Sequence, residues 1–195
     1  ILALAGLKPL ILERGEDAPT RNAKVEQFFA TGKLDPRSNV QFGEGGAGTF
    51  SDGKLTTGIN SSFCNRVLEI FHKFGAPKEI LYINKPHIGT DNLINIIRNM
   101  REYIKSLGGE FHFNEKIDDF IIEDGKIVGV IGKDKYYSDT VILAIGHSAR
   151  DTFYKLYEYD VLMEKKNFSV GVRIEHKQSM INDSQYGNVT KLKLP

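Results

Sequence analysis

The chain reads as an α/β protein: a parallel sheet interrupted by an antiparallel meander, with a further β element opening near its end. Three observations predict this. A glycine-stopped helix, Ile1–Gly6, leads into a short apolar strand, Leu7–Leu12, which ends on Glu13. Helical spacing then dominates up to Leu107, and strand patterns take over from Glu110. Finally, Thr140–Ile145 (TVILAI) is an unbroken apolar run, expected for a strand covered on both faces.

Taken in order, helix, tight turn, strand and terminal acid form the second half of a Rossmann-like, dinucleotide-binding βαβ unit. In such a unit the acid accepts hydrogen bonds from a ribose; alternatively, Glu13 is a solvated strand-end carboxylate. Ala23–Ala30 reads as a short helix, and a turn-rich connection with Pro36 follows. Phe63–Phe74 places apolar residues at 63, 67, 70, 71 and 74, which is helical spacing. Ile80–Ile83 is a short extended candidate. Asp91 is the expected N-cap of a long helix whose stripe is Leu93, Ile96, Ile97, Met100, Tyr103, Ile104 and Leu107, stopped by Gly108-Gly109. The meander is Glu110–Asn114, Lys116–Glu123, the hairpin signal Asp124-Gly125, Lys126–Gly132 and Lys135–Ser138. A helix over Asp151–Tyr159 follows, and Phe168–Glu175 alternates as a new strand. The expected division is a first domain over 1–160 and the start of a second over 161–195.

Gln41–Gly58 (QFGEGGAGTFSDGKLTTG) organises the rest. Its six glycines stand among small, polar and charged residues, with only Phe50 and Leu55 as later apolar members. Glycines allow positive φ and close backbone approach, and free N–H groups in such a loop can converge on an anion. Thr49, Ser51 and Lys54 add donors. Two readings stay open on composition: a loop wrapped around a phosphate-bearing group, or a flexible surface loop.

Bulk numbers exclude several classes. The 195 residues carry 26 Lys+Arg against 25 Asp+Glu, a net charge of +1. That balance argues against a nucleic-acid footprint or an anionic membrane surface. No apolar run reaches the roughly 18–20 residues of a membrane span, and no signal peptide opens the chain. The single cysteine, Cys64, excludes an internal disulfide framework and fits a cytoplasmic setting. The start lacks an initiator Met and the end lacks a closing element, so the chain reads as a piece of a longer protein.

Competing chemistry is weaker. Gly48-x-x-x-x-Gly53-Lys54 approaches a nucleotide P-loop, but Leu55 stands where Ser or Thr would hold magnesium. No two of the five histidines have metal-ligand spacing, so no metal site is expected. His72 reads as solvated and His112 as structural. His147 follows the glycine that ends the buried run, where ligands of open α/β sheets bind; a structural role is the alternative. Ser148 adjoins His147, but neighbouring strand-end residues point apart, so no nucleophile–base pair is expected. Phe28-Phe29 and Tyr136-Tyr137 read as packing rather than base-stacking platforms.

ILERG at 11–15, NVQFGEGGAGTFSDGKL at 39–55, NKPHIGTDNL at 84–93 and VILAIGHSARDTF at 141–153 together resemble the uncharacterised FAD-dependent dehydrogenases. Those are flavoproteins of the glutathione-reductase-like, two-dinucleotide-binding type. FSVGVRIEH at 168–176 resembles the start of that family's second, substrate domain. The resemblance implies non-covalently bound FAD, an FAD-binding Rossmann-like sheet, and oxidoreductase activity on a small-molecule substrate. NAD(P)H is a candidate electron donor or acceptor. Glu13, with Arg14 beside it, would hold the ribose hydroxyls. Gly45, Gly46, Thr49 and Ser51 would line the pyrophosphate and ribityl region, with Lys54 near the flavin. Ile117 would offer backbone groups to the adenine. Ala144, Ile145 and Gly146 would form a turn against the adenosine side, where Ile145 replaces the family's usual Thr and loses its hydroxyl. Lys54 and His147 are proton-transfer candidates by location alone. The family's first strand and glycine-rich pyrophosphate turn would precede Ile1, which leaves open a second reading: a non-catalytic nucleotide-binding or interaction module. Substrate class and oligomeric state are not written in these motifs.

Overall fold

A computed structural model of the chain describes residues 1–50 and 53–187. They form a mixed α/β structure with one small parallel sheet and one antiparallel sheet. The chain divides into two units, Ile1–Asp160 and a second beginning at Val161.

In the first unit, a 3₁₀ turn over Ala3–Ala5 is stopped by Gly6, whose φ of 81° only glycine adopts readily. The strand that follows is shorter than the apolar run: β1 is Leu10–Leu12. Helix α1 spans Ala18–Thr31 and starts five residues before the expected Ala23. Asp17 caps it by accepting from the Thr20 amide, and Pro19 sits in the first turn, where its missing N–H is harmless. Helices α2 (Phe63–Lys73) and α3 (Thr90–Ser106) follow their apolar stripes. Gly89, not Asp91, is the N-cap of α3; Asp91 lies in its first turn, where a carboxylate still favours the helix dipole. Lys78–Leu81 is a 3₁₀ turn rather than an extended segment, opened by Pro77, with Ile80 turned into the core.

That core is Ala76, Ile80, Ile88, Leu93 and Ile96, with Leu55, Leu68, Phe71, Phe74 and Met100 packed against it. It ties the two helices to the end of the glycine loop. There Ile88 donates its amide to Gly53 and Leu55 to Pro86, and Lys54 pairs with His87 in an antiparallel bridge.

Strand β2 (Glu110–His112) returns parallel to β1, with Ile11 opposite Phe111. The antiparallel sheet has the order β3 (Asp119–Glu123), β4 (Lys126–Ile131), β5 (Lys135–Tyr137). Its first hairpin turns through Asp124 and Gly125, at φ 49° and 73°, both positive as a type I′ turn requires. Helix α4 is Arg150–Glu158.

Two expected strands are absent. Thr140–Ile145 has no ladder, and Ile142 and Leu143 are 67% and 47% exposed. A strand covered on both faces needs neighbours to take its backbone groups, and none of the described strands does so. In the second unit, Phe168–Glu175 is also without a ladder; Phe168, Val170 and Val172 are all more than 80% exposed. The second unit's one assigned element among the described residues is helix α5, Gln178–Tyr186, which the sequence reading did not anticipate.

Candidate functional site

Strand β1 delivers Glu13 to the carboxyl end of the parallel pair, where its amide extends the ladder to His112. Its Oε1 accepts from the amides of Gly15 (2.8 Å) and Gly43 (3.0 Å). The carboxylate thus fastens the strand end to the glycine loop. The approach is backbone against backbone: a Cβ on Gly15 would lie 2.6 Å from Gly43 Cα. The loop after β2 joins the same knot, as Asn114 donates to Gly15 O and Glu115 to Glu13 O.

The loop itself is built around a cation. Arg21, on α1, is fully buried. Its Nε donates to Asn39 O, its Nη1 to Gly43 O and Glu44 O, and its Nη2 to Val40 O, at 2.6–3.1 Å. The Phe50 ring lies against the guanidinium, 4.4 Å from centroid to Cζ. Burial pushes Arg21 down to about 10, against the upward pull of Glu13 and Glu44, so it remains charged at neutral pH. Asn39 closes the turn from the other side, its Oδ1 accepting from the amides of Gln41 and Phe42.

Glu44 follows, 7% exposed. Its Oε2 accepts from the Ala18 amide and from Arg101 Nη1, both at 2.8 Å, while the buried Oε1 has no partner among the described residues. Burial raises the Glu44 carboxyl above the ordinary range; the Ala18 amide and Arg101 pull the other way and only partly offset it. Arg101, from α3, also reaches Asp17 and Glu102.

On the other side of the strand end, Arg14 lies over the Phe42 ring and donates to Asp151 Oδ2 at 2.6 Å. Lys116 reaches the same oxygen at 3.3 Å. Ile117, Thr152 and Lys155 line a small cleft beside this pair. Burial pushes the Asp151 carboxyl up, but the Arg14 hydrogen bond and charge, the Thr152 amide and Lys116 outweigh it and hold the group below the usual carboxylate range. The sign follows: with the folded value below the unfolded one of about 3.9, the stabilisation is present above that value and lost as pH falls through the lowered one. An Asp151→Asn variant is expected to lose up to ~1 kcal/mol at pH 7, the upper range for an exposed pair, and to show a flatter acid limb in a pH series of unfolding midpoints. An acid limb identical to wild type would refute this.

The anticipated residues therefore divide. Glu13 and Arg14 stand at the strand end, and Ile117 lines the cleft beside Asp151, the partner of Arg14. Gly45 and Gly46 stand exposed at the tip of the loop with φ 85° and 68°. Thr49 is buried, and its hydroxyl donates to Gly45 O, so that proton closes the loop. Ser51 lies outside the described residues. Lys54 is exposed and lies in the antiparallel bridge to His87. Ala144, Gly146 and His147 are exposed and Ile145 half-buried. That turn reaches the loop through Ser148, whose Oγ lies 3.0 Å from Gln41 Oε1 and 3.4 Å from His147 Nε2. The expectation that Ser148 and His147 point apart is thus corrected: their side chains approach to 3.4 Å. The pair is exposed, without a third group to orient the histidine among the described contacts.

Sequence reasoning missed Arg21, Glu44, Arg101, Asp151 and Gln41. A signal existed for Arg21: Ala18, Arg21 and Val25 are the buried residues of α1, spaced as one helical face with a cation in its middle. Among the described residues, no cluster of His, Cys, Asp and Glu could hold a metal, and no helix is long and apolar enough to cross a membrane.

No protein-family profile matches the chain. An uncharacterized protein of Clostridium beijerinckii is 51% identical over 188 residues, which is 96% of this chain and 35% of that protein. D-amino acid dehydrogenase of Helicobacter pylori strain J99 is 30% identical over 96 residues, 48% of this chain and 23% of the enzyme. The same enzyme of strain 26695 is 29% identical over 133 residues, 67% of this chain and 28% of the enzyme. The chain thus spans about a third, or less, of the length of the relatives it matches.

Proposed function

We propose that this chain is the nucleotide-holding part of an FAD-dependent oxidoreductase. One observation carries the reading: the Glu13 carboxylate, at the carboxyl end of a parallel strand pair, is hydrogen-bonded to Gly43 of a glycine loop. Ligands of open α/β sheets bind outside the carboxyl ends of the strands. Partial likeness to a dehydrogenase supports the class of reaction.

The residues present suit the adenosine and diphosphate side of FAD. Glu13 Oε2 takes no hydrogen bond among the described residues and is the oxygen for ribose hydroxyls. Arg14, pinned by Asp151 and Phe42, borders that position, and Ile117 presents backbone at the same end of the sheet. Gly45 and Gly46 leave the tip of the loop bare of side chains, so a diphosphate can approach its amides. Ala144–His147 completes the rim through Ser148 and Gln41. The chemistry the flavin supplies is transfer of a hydride or electron pair between a small-molecule substrate and a second carrier, for which NAD(P)H is a candidate. In this reading residues 1–160 belong to a Rossmann-like FAD domain, residues 161–195 open the substrate domain, and the protein is cytoplasmic.

The test is the visible spectrum of protein expressed from its full coding sequence, before and after incubation with FAD. Flavin bands that persist through desalting are expected. Their absence in both samples overturns the oxidoreductase reading and leaves the binding-module alternative.

A further inference from the structure

We propose that Arg21 is a positioning residue that sets the 39–46 loop, before any ligand arrives, in the conformation that receives a dinucleotide's diphosphate. The inference rests on the flavin reading above and concerns how that site is made.

Four acceptors surround the guanidinium, and all are backbone carbonyls of one loop: Asn39, Val40, Gly43 and Glu44. No carboxylate touches it in these contacts; Glu13 and Glu44 act on its charge from a distance. A buried cation without a contacting anion is costly unless its hydrogen bonds are met. Here the bonds that satisfy it also dictate the loop.

The direction of the loop's amides follows from peptide planarity. In a trans peptide the C=O of one residue and the N–H of the next point opposite ways. Turning those four carbonyls toward Arg21 turns the N–H groups of Val40, Gln41, Glu44 and Gly45 away from it. Gln41 and Glu44 give theirs to Asn39 Oδ1 and Glu16 O. Gly45 is exposed, and its N–H has no partner among the described residues. The loop therefore presents an outward amide at a bare glycine without having to reorganise.

Two further features fit this role. Gly43, at φ 121°, is where the arginine stem passes, and a Cβ there would collide with Arg21 Cδ. Lysine would not substitute: a compact ammonium has three donors and no planar fork, and four carbonyls converge here.

The experiment uses protein from the full coding sequence, FAD as the probe, and two readouts: hydrogen–deuterium exchange of the 39–46 amides and the Kd for FAD. In wild type without FAD, this loop is expected to be protected already, and FAD should add little protection outside the tip. Arg21→Gln should raise the Kd about tenfold or more and speed exchange of 39–46, while residues 119–131 of the hairpin exchange as in wild type. Arg21→Lys should fall between the two. A wild-type loop that exchanges freely until FAD binds overturns the inference without any variant. So does a loosened loop with unchanged Kd, or faster exchange throughout the hairpin, which would make Arg21 a general structural residue. Failure of wild type itself to take up FAD overturns the flavin reading, and this inference with it, and is recognisable because no variant is involved.

Discussion

Replacing Arg101 by methionine is expected to lower the free energy of unfolding by about 3–5 kcal/mol at pH 7, the range for removing one member of a buried ion pair. Arg101 is 11% exposed and lies 2.8 Å from Glu44, itself 7% exposed. Methionine keeps much of the apolar stem but leaves the carboxylate with the Ala18 amide as its remaining described partner. The pH dependence distinguishes this loss from one of packing. A carboxyl whose folded pKa lies above its unfolded value of about 4.3 is protonated first in the folded state. Its destabilising effect is therefore absent below the unfolded value, grows as pH rises from there to the folded one, and is constant above it. Burial already raises Glu44, and losing Arg101 removes a term that lowers it. The deficit of the variant relative to wild type, measured by urea unfolding, should shrink as pH falls toward 4. A deficit that is constant with pH, or smaller than about 1 kcal/mol, would contradict the assignment.

The second large effect is expected at Gly15. An alanine Cβ there would lie 2.6 Å from Gly43 Cα, 2.8 Å from Gly43 N and 3.0 Å from Arg37 O. All three are backbone atoms, so no side chain can swing aside. Overpacking of this kind costs about 1–3 kcal/mol and occasionally more. Parting the strand end from the loop also weakens the Gly43 amide's bond to Glu13, a charged acceptor contributing about 1.5–3 kcal/mol. The sum predicts a loss of about 2.5–6 kcal/mol on these ranges, read as a lower urea midpoint. A Gly15→Ala protein within about 1 kcal/mol of wild type would show that the contact relaxes at little cost.

Much of the scaffold was legible because its signals are local. The α3 stripe at helical spacing, the Gly108-Gly109 stop and the Asp124-Gly125 turn each depend on a few consecutive residues, and each stands in the structure. The glycine loop was legible as a place of close approach, and Gly43 against Gly15 is such a contact. What holds the loop was not legible. Only the place of Arg21 on one face of α1 with Ala18 and Val25 hints at its role, while Glu44 and Arg101 look in sequence like any surface charges, because their meaning lies in a partner 57 positions away. Helix α1 begins at Ala18 rather than at Ala23 because Asp17 caps it and Pro19 suits its first turn. Thr140–Ile145 shows the opposite failure. Its composition suits a buried strand, but a ladder is a property of two segments, and no described strand pairs with it.

The link between Glu44 and Arg101 also sets an order of events in time. The two residues are 57 positions apart. During synthesis at about 5–20 residues per second, Glu44 is made roughly 3–11 s before Arg101. Throughout that interval Arg21 and its carbonyls can meet, since they are close in sequence, but the Glu44 carboxylate lacks Arg101, its contacting cation in the folded chain. The contact between Glu44 and Arg101 therefore forms only after α3 has been made. That contact is the non-local step, and closing a chain segment of that span is governed by chain entropy rather than by local preference.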